Sequence, residues 1–212
     1  SESVSEGHPD KVSDYVADSI LDAHLTQDPH AHVACEVLVK EGTLVLAGEI
    51  TSNAKVDAVQ IARDVVAEIG YTDPEEAFCA DKLNVITLLT EQSQEINYGV
   101  DRDGDIGMNQ GAGDQGIMFG YATDETPELM PLPIHLAHRL SRAVAQHRHE
   151  RRVDWLRPDA KTQVSVLYHD DGPSHVTDVL ISTMHARSVS QDEIKAYMQE
   201  HVVPEALGDW NS

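Results

Sequence analysis

The chain has 212 residues and a formal net charge of -22, because 37 Asp and Glu outnumber 15 Lys and Arg. Hydrophobic residues make up 41%, which is enough for packed cores and too many for a disordered acidic tail. The charge argues against nucleic acid or an anionic membrane as a partner, and no apolar run is long enough to span a bilayer. No secretory signal is recognisable, and two cysteines cannot form a disulfide framework, which together predict a cytoplasmic protein. The 21 Asp against six Lys fit either adaptation to strong salt or an ordinary acidic protein.

The first half of the sequence predicts a helix, a hairpin, a second helix and a strand. Apolar residues at helical spacing indicate the helix at 10–25, and alternating residues predict strands that turn at Glu41-Gly42. The second helix is predicted at 53–69, with Asn53 as its N-cap and Gly70 as its C-terminal stop. A run of apolar residues at 83–89 predicts a buried strand.

A polar stretch with six glycines, residues 91–116, then predicts a mobile functional loop or a linker. A strand at 117–122 and a helix at 132–150 are predicted after it. A second hairpin is predicted at 162–168 and 175–184, followed by a helix at 191–201. Ser190 and Glu193 have the spacing of a capping box for that last helix.

The order of elements predicts an α+β fold built from repeated βαββαβ-like units, each a mixed sheet with helices on one face. On this prediction one strand is missing before Ser1 and another after Ser212. The expected domains are residues 1–98, a mobile linker at 99–110, and residues 111–212.

The run Ser-Glu-Gly-His-Pro-Asp-Lys at 5–11 places His8, Asp10 and Lys11 at the start of a helix. Free N–H groups at a helix start favour a phosphate, which Lys11 could neutralise and His8 could contact, while Asp10 could hold Mg²⁺. The alternative is an ordinary helix start, with Pro9 at the first position and Asp10 as a partner of the helix dipole.

Glu36 and Glu49 are predicted to be diagonal neighbours on one face of the first hairpin. With an even-numbered turn at Glu41-Gly42, Glu36 pairs with Ala47, and the two carboxylates lie roughly 7–8 Å apart. A cation such as K⁺, another metal ion or a substrate ammonium would relieve their repulsion. The alternative is a solvated outer face, although the apolar neighbours on that face favour burial.

Two further motifs contain residues that could bind a nucleotide. In Arg-Pro-Asp-Ala-Lys at 157–161, Asp159 could accept from ribose hydroxyls and Lys161 could contact phosphate, although a surface turn is the simpler alternative. Gly111 to Gly116 matches GxGxxG, but a loop precedes it and a strand follows it, so a Rossmann site is rejected. The segment 101–112 lacks the Gly and Glu positions of a calcium loop and is also rejected.

Taken together and in order, these motifs resemble the bacterial S-adenosylmethionine synthetases (methionine adenosyltransferases). The resemblance covers the whole chain. It is carried by SESVSEGHPDK at the start, VACE at 33–36, GEIT at 48–51, GAGDQGIMFGYA at 111–122, LMP at 129–131 and WLRPDAK at 155–161.

The resemblance implies that the sulfur of L-methionine attacks C5′ of ATP and that the displaced tripolyphosphate is hydrolysed to phosphate and pyrophosphate. It implies that His8 contacts the phosphate chain, that Asp10 binds Mg²⁺ and that Glu36 holds K⁺. It also implies that Glu49, Gln92 and Asp114 bind methionine. Residues Asp159, Ala160 and Lys161 would bind ATP, and the loop at 91–116 would cover the site.

The family also implies a homodimer or a dimer of dimers with the active site between subunits. Its members carry a third, C-terminal domain beyond the region that this chain matches, so the 212 residues alone are expected to have little synthetase activity. One alternative is a fragment that binds nucleotide or pairs with a full-length subunit. Another is a phosphohydrolase that uses His8, Asp10 and Lys161.

Overall fold

The computed structural model describes residues 1–91 and 115–211, which form two three-stranded sheets with helices packed against them. The helices are α1 Pro9–Gln27, α2 Ala58–Ile69, α3 Leu132–His149, α4 Gln191–Tyr197 and α5 Val203–Leu207, and a π-helical turn at Met198–Val202 joins the last two. The strands are β1 Glu2–Val4, β2 His32–Lys40, β3 Thr43–Thr51, β4 Asn84–Thr90, β5 Leu156–His169 and β6 Gly172–His185. The architecture confirms the predicted α+β class. Within the described ranges, no helix is both long and apolar enough to cross a membrane.

The first sheet has the order β2-β3-β4 and packs its inner face against α1 and α2. Helix α1 buries Val12, Val16 and Ile20, which recur every four residues and therefore form one stripe. That stripe meets Leu44 and Leu46 of β3 in a single apolar cluster. Burial of this amphipathic face, rather than intrinsic helix propensity, accounts for where α1 lies.

The register of the β2–β3 hairpin is the one that the sequence predicts. A two-residue turn at Glu41-Gly42 pairs Glu36 with Ala47 and Ala34 with Glu49. Strand β4 then adds to β3 in parallel, so the sheet is mixed.

The second sheet has the order β1-β5-β6 and packs against α3, α4 and α5. The buried polar side chains on this side include His147, whose Nδ1 lies 2.8 Å from the Tyr197 hydroxyl. Its Nε2 lies 3.1 Å from a Glu205 carboxylate oxygen. Both ring nitrogens are thus satisfied, as burial of an imidazole requires.

Strand β1 joins the start of the chain to the second sheet, a pairing that sequence patterns do not predict. Val4 lies opposite Lys161, and the backbone N–H of Ser5 donates to the Ala160 carbonyl at 2.8 Å. The buried Ser5 hydroxyl donates to the Pro158 carbonyl and accepts from the Ala160 N–H, both at 2.7 Å. The residues that lead into α1 are therefore fastened to β5.

Three predicted elements are wrong in detail. Helix α2 begins at Ala58 rather than at 53, with Asp57 as the N-cap that accepts the Gln60 N–H, while the backbone and side-chain N–H groups of Asn53 donate to Asp28. The predicted strand at 117–122 has no regular secondary structure, since no described strand pairs with it. The strand predicted as buried is β4, at one edge of the first sheet with its outer face open to solvent.

The last helix also differs, because the π-helical turn interrupts it at Met198–Val202 before α5. The Ser190–Glu193 capping box is confirmed at its start, and Gly70 is confirmed as the left-handed C-cap of α2, with φ of 112°.

Replacing Ser5 by Ala should lower the free energy of unfolding by about 1–3 kcal/mol, because it leaves the buried Ala160 N–H and Pro158 carbonyl without a side-chain partner. Urea unfolding measures the change. Ser19→Ala is the matched control, since the Ser19 hydroxyl donates to the Tyr15 carbonyl on the exposed side of α1 and should change stability by less than about 0.5 kcal/mol. Equal losses in the two variants would contradict the role given to Ser5.

Candidate functional site

His8 sits at the N-cap of α1, in an extended backbone conformation with φ of -64° and ψ of 142°. Its Nδ1 accepts the backbone N–H of Asp10 at 3.2 Å. A neutral imidazole that accepts at Nδ1 carries its proton on Nε2, so Nε2–H is left as a donor. The Asp10 carboxylate lies 3.7 Å from Nδ1 and is 82% exposed. The start of α1 therefore presents one N–H donor and one open carboxylate.

Asp159 faces this group from strand β5. Residues of β5 alternate, so Leu156, Ala160 and Val164 enter the core while Asp159 and Lys161 project from the other face. Burial raises the pKa of the half-buried Asp159 carboxyl, and the nearby His8 imidazole partly lowers it. The carboxylate and the imidazole thus lie within electrostatic reach of each other.

Lys161 is held by an ion pair that crosses from β5 to β1. Its Nζ lies 2.9 Å from a Glu2 carboxylate oxygen, and both side chains are partly exposed. A phosphate that binds Lys161 has to compete with Glu2 for the ammonium. Sequence reasoning missed Glu2, because only the long-range β1–β5 pairing brings it next to Lys161.

Ala160 has a different position from its two neighbours. Its side chain is buried in the core, and its N–H and carbonyl both bond to Ser5. Ala160 thus fixes the part of β5 from which Asp159 and Lys161 project. Contact of Ala160 itself with ATP remains a prediction.

A cavity of about 270 Å³ lies between residues of the two halves of the structure. Asp159, Gly7 and the buried Tyr71 form part of its wall together with apolar side chains of both halves, and Lys40 and Glu41 also line it. Such a mixture of apolar walls and a few polar groups is typical of small-molecule sites. The cavity reaches Asp159 from the side of Gly7 and Pro9, the neighbours of His8.

Glu36 and Glu49 project from the outer face of the first sheet, and both are exposed. The predicted diagonal arrangement is confirmed, whereas their burial within one chain is not. No hydrogen bond or ion pair of the described residues links either carboxylate to His8, Asp159 or Lys161. A single chain thus brings His8, Asp10 and Asp159 together and leaves this pair apart.

The remaining predicted residues, Gln92 and Asp114, lie outside the described residues, as does most of the segment 91–116 and all of the predicted linker at 99–110. Among the residues that are described, no group of three or more His, Cys, Asp or Glu side chains has the arrangement of a metal site. Of the described residues, Asp10 is thus a single candidate ligand for Mg²⁺, an ion that commonly completes its shell with water and the oxygens of substrate phosphates.

The two halves of the chain match two domains of one known protein family. Residues 1–94 match the family model of the S-adenosylmethionine synthetase N-terminal domain, and residues 109–211 match that of the central domain. The chain belongs to the S-adenosylmethionine synthetase family. His8, Asp10, Glu36 and Glu49 fall in the first matched region, and Asp159 and Lys161 fall in the second.

Two curated relatives match over 99% of the chain. One is the S-adenosylmethionine synthase of Akkermansia muciniphila, 51% identical over 218 residues. Another is the S-adenosylmethionine synthase of Sorangium cellulosum, 49% identical over 213 residues. The matched regions are 55% and 50% of these two proteins, so the chain spans about half the length of the relatives it matches.

Replacing Asp159 by Asn should alter stability in a pH-dependent way. Because burial raises the folded-state pKa of Asp159, the wild-type protein loses stability as pH rises from the ordinary carboxyl pKa through the raised one. Asp159→Asn removes this loss, so its free energy of unfolding relative to the wild type should be greater near about pH 7 than near about pH 3.

Asp154→Asn is the control, because it neutralises an exposed aspartate five residues before Asp159. Its effect on unfolding should be nearly the same at both pH values. If Asp159→Asn shows no pH dependence beyond that of Asp154→Asn, the burial of the Asp159 charge is contradicted.

Proposed function

We propose that the chain contributes the N-terminal and central part of an enzyme that makes S-adenosylmethionine from ATP and L-methionine. In this reaction the methionine sulfur forms a bond to C5′ of ATP, and the bond from C5′ to the triphosphate oxygen breaks. The electron pair leaves on the tripolyphosphate, which is then hydrolysed to phosphate and pyrophosphate. The observation that carries the proposal is the hydrogen bond from the Asp10 N–H to His8 Nδ1 at the start of α1, close enough to Asp159 for His8 to affect the pKa of that carboxyl.

His8 is suited to the oxygen that receives negative charge as the C5′–O bond breaks. Its Nδ1 is occupied by the Asp10 N–H, so the ring is held with Nε2–H as the outward donor. A donor fixed before the reaction stabilises developing charge without reorganising. No general base is required, because a thioether sulfur is already nucleophilic, and alignment of the reactants becomes the main task.

Asp10 and Glu36 are the proposed ligands of Mg²⁺ and K⁺, the cofactors that the family resemblance implies. The open Asp10 carboxylate fits Mg²⁺, which favours hard oxygen ligands and keeps part of its shell for phosphate. Bound cations would neutralise the phosphate chain, which an acidic protein otherwise repels. Glu49, Gln92 and Asp114 are proposed to bind methionine, with Glu49 taking the ammonium group.

The nucleotide is proposed to lie along β5. Asp159 would accept from the ribose hydroxyls, and Lys161 would contact phosphate after it leaves Glu2. The half-buried position of Asp159 beside the cavity supports a role in contact with the nucleoside rather than with the anionic phosphates.

A homodimer is also part of the proposal, with the outer face of the first sheet as its interface. Leu38 and Leu88 on that face are 61% and 59% exposed, and Val45 and Ala47 lie between them. An apolar face of this kind commonly marks an interaction surface. Glu36 and Glu49 lie on the same face, so a second subunit would enclose them and complete their surroundings. Because the relatives are about twice as long, the 212 residues alone are proposed to have little synthetase activity.

Binding of tripolyphosphate with Mg²⁺ to the chain, measured by calorimetry, tests the phosphate site. His8→Gln and Lys161→Met should each weaken binding by about tenfold, because Lys161→Met removes a charged donor and His8→Gln replaces the capped imidazole donor with a more flexible amide. Glu2→Gln should strengthen binding by about threefold, because it releases Lys161 from a partly exposed ion pair. Lys195→Met is the control, since Lys195 is an exposed lysine on α4. Affinity that is unchanged in His8→Gln and Lys161→Met would reject the site.

Sedimentation of the chain tests the proposed dimer. Leu88→Glu should raise the dimer dissociation constant by about tenfold or more, because it places a charge in an apolar interface. Leu180→Glu is matched in exposure, since Leu180 lies 53% exposed on β6 of the other sheet, and should leave association unchanged. A wild-type chain that stays monomeric, or a Leu88→Glu chain that associates normally, would contradict this interface.

A further inference from the structure

Tyr71 connects the end of α2 to Gly7, the residue that precedes His8. It follows Gly70, the left-handed cap of α2, and its hydroxyl donates to the Gly7 carbonyl. Its ring packs edge-to-face on Phe78 with centroids 4.9 Å apart, and its carbonyl accepts the Ala80 N–H at 2.9 Å. The side chain is almost fully buried, so the hydroxyl has a fixed position.

The peptide group between Gly7 and His8 is bonded on both sides. Its carbonyl accepts from Tyr71, and its N–H donates to the Ser5 carbonyl at 3.1 Å. A peptide plane held at both ends has little freedom to rotate, which fixes the backbone from which the His8 ring projects. Ser5 is in turn bonded to β5, so the plane is anchored to the second sheet on one side and to the packed Tyr71 side chain on the other.

Gly7 adds a steric constraint to the same plane. A Cβ at this position would lie 2.4 Å from the carbonyl carbon of Pro158, the residue before Asp159. The backbone at Gly7 therefore lies so close to β5 that no residue with a side chain fits there without a shift of the backbone.

The chemistry of the Tyr71 hydroxyl suits a permanent donor. Burial, together with the negative charge of Asp159, raises the pKa of the phenol above its ordinary value. The hydroxyl stays protonated throughout the physiological range and keeps donating to Gly7.

We infer that Tyr71 is a positioning residue that orients His8 through the Gly7–His8 peptide. The inference rests on the proposed role of His8 toward phosphate. Tyr71 acts through the backbone and needs no contact with a substrate. Loss of its hydroxyl frees one end of the peptide plane, so His8 samples positions from which Nε2–H no longer meets the phosphate chain.

Tyr71→Phe tests this inference because it removes the hydroxyl and keeps the ring. Tyr197→Phe is the matched control, since it also removes a phenol hydrogen bond, the one to His147 in the other core. Both variants should lose thermal stability. Only Tyr71→Phe should speed hydrogen exchange at the His8 amide by about fivefold and shift the His8 ring signal in NMR spectra, which His8→Gln assigns.

Only Tyr71→Phe should also weaken the binding of tripolyphosphate with Mg²⁺, again by about fivefold. Unchanged His8 exchange with unchanged affinity would overturn the inference. Weaker binding with unchanged His8 exchange would overturn it as well, because Tyr71 would then contact the ligand directly. If the wild-type chain does not bind tripolyphosphate, the proposed function fails, and exchange at the His8 amide alone still decides the role of Tyr71.

Discussion

The hydrogen bonds between Ser5 and strand β5 are the interaction on which the candidate site depends. They join Ser5 to Pro158 and Ala160, which lie 153 and 155 positions further along the chain, and they involve both the backbone and a buried hydroxyl. Because Ser5 lies three residues before His8, the same bonds set the start of α1 relative to Asp159. The site therefore lies between the two halves of the fold. One half supplies the His8 imidazole and the other supplies the Asp159 carboxylate, and neither half contains both.

The second constraint is electrostatic. A chain with a net charge of -22 repels a triphosphate, and four basic side chains at or near the site are each already paired with carboxylates. These pairs are Lys161 with Glu2, Arg148 with Glu6, Lys11 with Asp14, and Arg157 with Asp73 and Glu76. An anionic ligand must displace such carboxylates or arrive with its own cations. Under the proposed function, the low basic content would leave more of the charge neutralisation to bound metal ions than a lysine-rich site would.

Local patterns predicted the elements well because the information lies within a few residues. Alternation and a two-residue turn were enough for the Glu36–Ala47 register, and a capping box was enough for the start of α4. Long-range contacts are not predictable from those patterns, so β1, the Glu2–Lys161 pair and the Tyr71–Gly7 hydrogen bond are not anticipated. The strand predicted at 117–122 is absent because a strand needs a neighbouring strand to bond with as well as an apolar sequence. This segment has the apolar sequence but no described partner strand, and Met118 and Phe119 are 94% and 90% exposed. The residue roles taken from the family resemblance remain predictions.

The close approach of Gly7 to Pro158 has a consequence for how such sequences can change over time. The two residues lie in different halves of the chain, yet any side chain at position 7 meets the backbone at position 158. A mutation at Gly7 becomes tolerable only if β5 shifts first, and a shift of β5 carries Asp159 away from His8. The two positions cannot vary independently, so amino-acid substitution at position 7 is limited by this steric contact even though no ligand needs to touch it.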